Sequence, residues 1–382
     1  MDPDDLSHWQ FFVELGALQV TPTSRTVISW YWASPKTKKL AIALPCLYAL
    51  FKVIKHALTY KSPRYKRVPR RGERVLVIGA SSGIGRSIAT RYAERGARVA
   101  VVGRRTHMIE DVVSECSGIV DARNVPTGKD LAVKGSVIGF TGDFADVDDM
   151  VALRETLHSE WGGLDTVIVA AGVSALQPLL AVAGADVPGY ELRPDSTDPE
   201  GIERTKHVAQ RALEGNYIGP MVAALTFIPL LSATSLSPSI LLLSSLASVI
   251  PAPTRTLYGS TKAAALVLYQ SLSIEHPQIH FTYVLPSTVE GDFRASAVDG
   301  GPVREQDPNK SGLRREAVAK RCVQAVDRYE TTVWMPPHMR FAHALYWAVP
   351  SLIEWGASRK YNFEPTTNAI EDNPHRKPRA QR

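Results

Sequence analysis

The chain has 382 residues, 45% of them apolar and 21% charged, with a formal net charge of +6. This composition excludes a wholly disordered chain and leaves room for one large α/β domain with appendages or for two smaller domains. Cys46, Cys116 and Cys322 lie far apart, which excludes a disulfide framework, points to a reducing compartment, and with no Cys-x-x-Cys or His-Glu-x-x-His spacing leaves metal catalysis without support.

The basic excess is uneven, concentrated between Lys55 and Arg74 and again from His375 to Arg382. Residues 1–35 start acidic and then carry Trp9, Phe11, Phe12, Trp30, Tyr31 and Trp32. Leu40 to Leu58 is apolar, but its uncharged core, Leu40 to Phe51, is only twelve residues, short of the ~20 that cross a bilayer. Lysines flank it on both sides and can snorkel. A secretory leader fits poorly, because the apolar run starts late and no small-residue cleavage site follows. The segment at about 38–58 therefore reads as a membrane anchor, spanning or interfacial, with a packed amphipathic helix as the rival; the aromatics at 30–32 suit a bilayer interface. Lys61, Arg64, Lys66, Arg67, Arg70, Arg71 and Arg74 follow it, and this bias predicts that the following domain faces the cytosol; the endoplasmic reticulum is the membrane expected. Nucleic acid is not expected as a partner, since no recognition element accompanies the basic run.

Arg74-Val75-Leu76-Val77-Ile78 reads as a strand and runs into Gly79-Ala80-Ser81-Ser82-Gly83-Ile84-Gly85, then into a helical pattern from Arg86 to Arg95. A glycine turn between strand and helix lets backbone N–H groups and a helix N-terminus approach a pyrophosphate. A second strand, Arg98 to Val102, ends in Gly103-Arg104-Arg105. A carboxylate here would accept from the ribose hydroxyls of NAD; none is present, and guanidinium groups suit the 2′-phosphate of NADP. The rival reading makes Arg104 and Arg105 solvated helix-start residues. Residues 118–134 read as a polar connection. Strands follow at Val137 to Thr141 and Leu164 to Val169, with a helix over 145–160 between them. Residues 184–200, rich in Pro, Gly and Asp, read as a surface insertion, and a long helix is expected from Gly201 to about Ser232.

Ile240 to Leu243 reads as a buried strand. Beyond it stand Ser245, Tyr258 and Lys262. With a helix starting near Tyr258, the i to i+4 spacing puts phenol and ammonium on one face. A lysine beside a tyrosine favours phenolate, which makes the phenol a better proton donor and acceptor near neutrality, and a serine hydroxyl can hold a carbonyl oxygen. An ordinary helix surface is the competing reading of Tyr-x-x-x-Lys. Further strands are expected at Ile279 to Leu285 and Thr332 to Met335, with a helix from Arg314 to Glu330 between them. Residues 292–312 are expected to form a mobile loop that closes over substrate. An apolar, aromatic helix spans His338 to Trp355 and suits a membrane surface, the substrate mouth, a homodimer contact or the core. The tail after Asn368 is polar.

The glycine turn at 79–85 together with Ser245, Tyr258 and Lys262 resembles the short-chain dehydrogenase/reductase family over about residues 72 to 335. The resemblance implies an α/β fold, a doubly wound Rossmann-type parallel sheet of about seven strands, in a single catalytic domain at 72–336. The N-terminal region 1–71 would carry the anchor, 337–368 the C-terminal apolar helix, and 369–382 a disordered tail. It implies NADP(H) as cofactor, with Asp143 at the adenine (a helix N-cap is the rival reading), Ala171 and Gly172 beside the dinucleotide, and backbone near Val289 at the nicotinamide. Asn216 falls at the family's asparagine, whose main-chain carbonyl positions a water; an Asn followed by Gly219-Pro220 is locally unfavourable in a helix. Departures from the family pattern are Ile78 for a threonine, Ala170 for an asparagine, and Ser287 and Gly291 where a glycine and a threonine are usual. The expected activity is reduction of a carbonyl on a lipophilic molecule of the steroid, 3-ketosphinganine or acyl-lipid type. A non-catalytic NADPH-binding membrane scaffold or sensor is the alternative.

Overall fold

Runs of Val, Ile and Leu, whose side chains suit a pleated surface covered on both faces, pair into one parallel sheet. The computed structural model describes residues 63–123, 135–185, 195–295, 297–302 and 307–363, together with Cys46, Leu47 and Leu50. Its strands are β1 (Arg74–Ile78), β2 (Arg98–Gly103), β3 (Val137–Thr141), β4 (Thr166–Val169), β5 (Ser239–Leu243), β6 (His280–Pro286) and β7 (Thr332–Met335). They are ordered β3-β2-β1-β4-β5-β6-β7, with Ile78 beside Val102 on one side and Val169 on the other. The doubly wound parallel sheet expected from the sequence is the one observed. The chain steps outward from β1 to β3 and returns to β4, so the crevice above β1 and β4 is the switch point where such sheets bind ligands.

The longer helices are α1 (Gly83–Glu94), α2 (Thr106–Arg123), α3 (Val147–Trp161), α4 (Pro199–Leu213), α5 (Gly219–Thr234), α6 (Thr256–Glu275), α7 (Arg315–Asp327), α8 (Met339–Ala348) and α9 (Pro350–Lys360), with single turns at Leu179–Val182 and Pro308–Ser311. Residues of α3, α5 and α6, among them Leu153, Phe227 and Tyr269, fill one face of the sheet. Ile88 and Tyr92 of α1, Val112 of α2 and Val318 of α7 fill the other. Burying each such side chain contributes roughly 1.5–3 kcal/mol. Sequence-readable stops and starts recur: Asp146 caps α3 by accepting from Asp149 N at 2.9 Å, and Gly162 ends it at φ 69°.

Several elements differ from expectation. α2 runs through Arg123, into what reads as a polar connection, because Val120 turns into the core. The single helix expected over 338–355 is two, broken before Pro350, whose missing N–H and ring cannot continue α8. Within the long helix over 199–234, Glu214–Ile218 forms a π-helical turn. That run, Pro199–Thr234, is long and apolar enough to cross a membrane by length and composition. Half of it lies against the sheet, where Val222, Phe227 and Leu231 are buried, which makes it a core helix.

The chain divides into two compact units, Met1–Ser62 and Pro63–Arg382. The expected anchor at about 38–58 lies outside the described residues apart from Cys46, Leu47 and Leu50, as do residues 186–194 of the insertion and the whole of 369–382. The basic run before β1 is corrected in part. Arg64 is 1% exposed and ion-paired to Glu73, and Arg74 is bound to Asp165 at 2.9 Å. Arg64 belongs to the interior of the fold and the half-buried Arg74 is committed to Asp165, so neither is a free member of a solvent-facing patch; Lys66, Arg67 and Arg70 are exposed.

Candidate active site

The glycine turn sits at the carboxyl end of β1. Gly79, at φ 86°, donates its N–H to Val102 O at 2.9 Å. A Cβ there would stand 2.5 Å from Ala171 N, and one on Gly85 would stand 2.1 Å from Gly79 O. Only glycine permits this approach of strand, turn and helix. Ala171, just past the end of β4, therefore forms the opposite wall of the turn, with Gly172 next in the chain. Gly83 has φ 57°, and a Cβ added to it would meet nothing within 4 Å. Ser82, at the N-cap of α1, makes no side-chain bond to the helix's first amides; its hydroxyl accepts from Arg105 Nη2 at 3.0 Å. Ser81 Oγ accepts from the same nitrogen at 3.1 Å. The turn thus combines a helix N-terminus with an arginine folded over it, a combination that suits an anion. Ile84 follows, half-buried against α1's packed face.

Arg104 and Arg105 part company. Arg104 Nη1 lies 3.6 Å from Asp143 Oδ2, both groups being well exposed, while Arg105 lies on the serines. The other Asp143 oxygen accepts from Ala145 N at 3.1 Å. The α3 cap, the rival reading of Asp143, belongs to Asp146.

The π-helical turn presents Asn216, which is fully buried. Its Oδ1 accepts from Val173 N at 2.9 Å, and its Nδ2 donates to Val173 O at 3.0 Å and to Thr261 Oγ1 at 3.1 Å. Side-chain bonds to both backbone groups of Val173 tie the π turn to the segment after β4; single-turn π bulges commonly mark functional sites. A Cβ on Gly172 would lie 2.8 Å from both Asn216 Oδ1 and Lys262 Nζ, so these polar ends converge on one small residue. Lys262 Nζ donates to Leu243 O at 3.2 Å. Burial pushes the Lys262 ammonium down to about 8, because a desolvated charge is disfavoured.

Tyr258 stands in the first turn of α6, one helical turn before Lys262. Ser245 caps the short turn Leu246–Ser248, its Oγ accepting from Ala247 N at 3.2 Å. That turn packs on α6 through Gly259, where a Cβ would meet Ala247 O at 2.9 Å. Phe293, in the turn Asp292–Arg294, presents its ring at 64° to Tyr258, centroids 6.1 Å apart. Beside the phenol, Ala175, Val182, Val208, Ala212 and Val298 form a small apolar cluster. Val289 pairs with Leu313 in an isolated bridge. Part of the loop expected to be mobile is pinned: Asp299 Oδ2 accepts from Leu176 N at 2.6 Å and Gln177 N at 2.8 Å.

Asn216, Lys262 and Gly172 meet directly, while the turn that follows Ser245 packs through Ala247 on Gly259, the residue after Tyr258. Gly259, Thr261 and Phe293 escape a reading of the sequence alone. A glycine in the first turn of an otherwise apolar helix is the signal that points to Gly259; a lone Thr or Phe carries none.

The short chain dehydrogenase family model matches residues 73–300. The 11-beta-hydroxysteroid dehydrogenase 1A of Arabidopsis thaliana is 26% identical over 300 residues, which cover 76% of each protein. Among solved structures, a short chain dehydrogenase/reductase from Burkholderia phymatum in complex with NAD superimposes with a TM-score of 0.58 at 15% identity, covering 78% of this chain and 98% of the other. An alcohol dehydrogenase from the archaeon Thermococcus sibiricus, complexed with 5-hydroxy-NADP, gives 0.51 at 21% identity, covering 69% and 94%. With its glycine turn at the switch point of a seven-stranded parallel sheet and a family match spanning well over half of its length, this chain belongs to the short-chain dehydrogenase family of oxidoreductases.

Proposed function

We propose that the protein reduces a carbonyl of a lipophilic substrate, using NADPH. The observation that carries this reading is the placement of Tyr258 one turn before a desolvated Lys262 that shares Gly172 with Asn216. The dinucleotide would be held by the 79–85 turn with Ser81 and Ser82, by Ala171 and Gly172, by Asp143 at the adenine end, by Tyr258 and Lys262 at the ribose and by backbone near Val289. Preference for NADP rests on Arg105 over the turn serines, on Arg104, and on the lack of a carboxylate between Val102 and Arg105. When bound, the dinucleotide supplies the hydride for the carbonyl carbon.

This chain's own residues handle the proton. Tyr258 gives its hydroxyl proton to the carbonyl oxygen, and Ser245 donates a hydrogen bond that stabilises the charge developing there. Lys262, still largely protonated at neutral pH with its value at about 8, favours the phenolate left behind. Asn216 keeps its side chain on Val173 and leaves its main chain, inside the π turn, to hold a water that connects Lys262 to solvent.

A lipophilic substrate of steroid type is supported by the names of the plant relatives and by the apolar residues around Tyr258. The exposed Phe341, Trp347 and Trp355 of α8 and α9, and the apolar stretch at 38–58, support a membrane surface or a second copy of the chain as neighbours, with the catalytic domain facing the cytosol at the endoplasmic reticulum. Tyr258→Phe is expected to lower turnover of a panel of lipid ketones by about 10²–10⁴-fold, far more than any loss of nucleotide affinity from the missing ribose contact. Normal turnover in that variant, followed by NADPH oxidation, overturns the assignment. Nucleotide binding with no turnover of any lipid ketone by the native protein would favour a scaffold.

A further inference from the structure

Immediately before the helix that carries Tyr258, Thr254 adopts φ 62° while 4% exposed. A β-branched residue in that region is strained, and such strain persists where the surroundings over-determine it, often at functional sites. The next residue, Arg255, is 5% exposed and takes no part in the chemistry proposed above. Its Nη1 donates to Ser174 Oγ at 3.0 Å and to Ala175 O at 3.1 Å. Its guanidinium carbon stands 5.6 Å from the centroid of the Tyr258 ring and 5.9 Å from that of Tyr361, just past the end of α9. A guanidinium can donate along its edge while its face meets an aromatic ring, which an ammonium cannot match.

The partners of Arg255 make this more than a buried plug. The segment from Val173 to Gln177 is gripped by three side chains from three elements: Asn216 on Val173, Arg255 on Ser174 and Ala175, and Asp299 on Leu176 and Gln177. Val298 N also donates to Ser174 O at 2.9 Å. Arg255 is the member of this set that also touches the phenol bearing the proton.

We infer that Arg255 is a positioning residue for Tyr258, locking the phenol ring to the segment after β4 and coupling it to the C-terminal helix end through Tyr361. This rests on the proposed role of Tyr258. A proton donor displaced by a fraction of an ångström loses alignment with the carbonyl oxygen, while the surfaces that bind nucleotide and substrate stay in place. The loss therefore falls on kcat and not on KM.

The test compares Arg255→Met, Arg255→Lys and Tyr361→Ala with native full-length protein. The substrate is whichever of an 11-ketosteroid, 3-ketosphinganine and a long-chain 3-ketoacyl thioester is turned over fastest with NADPH. The thermal midpoint and the NADPH dissociation constant are measured alongside. Arg255→Met is expected to lower kcat on the order of tenfold to a hundredfold, with KM and nucleotide affinity within about twofold of native. Arg255→Lys should recover part of the rate and Tyr361→Ala should show a smaller drop. Native kcat in folded Arg255→Met, or a loss confined to KM or to the folded fraction, overturns the inference. If Arg255→Met does not fold, Arg255→Lys decides: native kcat in that variant overturns it, and a reduced kcat at native KM supports it. Tyr258→Phe separates the two levels, since native turnover there removes the reading itself, whereas a dead Tyr258→Phe beside a native Arg255→Met removes only the positioning role. A panel in which the native protein turns over no ketone overturns both.

Discussion

Buried cations stand at both ends of the sheet, and the two ends treat them in opposite ways. At the amino end, Glu73 binds Arg64 through one oxygen and Arg95 through the other at 2.8 Å, and Arg95 reaches Asp327 at 3.0 Å. Arg64 also donates to Thr166 Oγ1 at 2.8 Å, Asp165 O at 2.9 Å and Ser237 O at 3.0 Å. Burial, the largest single influence, pulls the Arg64 guanidinium down, but the combined attraction of Glu73, Tyr92 and Asp165 outweighs it and the group is held above its ordinary value; Arg95 is raised in the same way by Glu73, Tyr92 and Asp327 together. At the carboxyl end, Lys262 has its hydrogen bond to a carbonyl and no charge-based cause set against desolvation, and it moves down. Where the charge serves architecture, carboxylates surround it and make it permanent. Where the charge is proposed to serve chemistry, it is desolvated into the range in which it can respond to a proton.

The sharpest way to break this contrast is to take away a carboxylate at the amino end. Glu73→Gln keeps shape while leaving Arg64 and Arg95 buried with less compensation. Breaking a buried pair in this manner costs about 3–5 kcal/mol, the largest loss expected here, measured by urea unfolding. Because the cluster is remote from the glycine turn, nucleotide affinity of the folded fraction should be native. A variant as stable as the native protein would show that the network is dispensable, as some buried ion networks are.

The mirror experiment removes the cation at the other end. Lys262 lies below its ordinary 10.5 in the folded state, so the stability contributed by its neutral form is complete above that value and is lost as pH falls through about 8. Lys262→Met has no such dependence. It should be more stable than the native protein at pH 7, by at most about 3 kcal/mol, and the gap should close as pH rises from about 8 towards 10.5. Turnover should be lost throughout. A gap that is independent of pH would mean that Lys262 is not desolvated in the folded protein.

The same contrast explains what could be read from the chain before its structure. The carboxyl end was legible because its residues cluster in sequence: the glycine turn is contiguous, and Tyr258 and Lys262 are fixed by one turn of a single helix. The central strands were legible because burial on both faces demands apolar runs, as in Thr166–Val169 and Ser239–Leu243; the edge strands Val137–Thr141 and Thr332–Met335, only partly buried, still have the bounds expected. The amino end was not. Arg64 and Arg74 look like members of a basic patch until Glu73, Asp165 and Thr166 are brought to them by a sheet that pairs Val75 with Thr166. Arg255 was hidden for the same reason, since Ser174 and Tyr361 lie far from it along the chain. Charge composition counts cations but says nothing of which carboxylates fold against them.

The finest test of the comparison acts on the residue the carboxyl-end groups share. Gly172→Ala adds one methyl group at 2.8 Å from both Asn216 Oδ1 and Lys262 Nζ, closer than real contacts tolerate, so one of the two must move. The end of a lysine side chain can shift, but this one is enclosed, and overpacking of a closed site costs about 1–3 kcal/mol. The lower part of that range is expected, because the φ of Gly172 is not one that only glycine adopts. The expected signature is a small change in unfolding midpoint joined to a large fall in kcat, the reverse of Glu73→Gln. That inversion follows if the polar ends at Gly172 are placed for reaction and those at Glu73 for folding. Parallel losses in stability and rate for both variants would mean that the two ends of the sheet do not divide the work in this way.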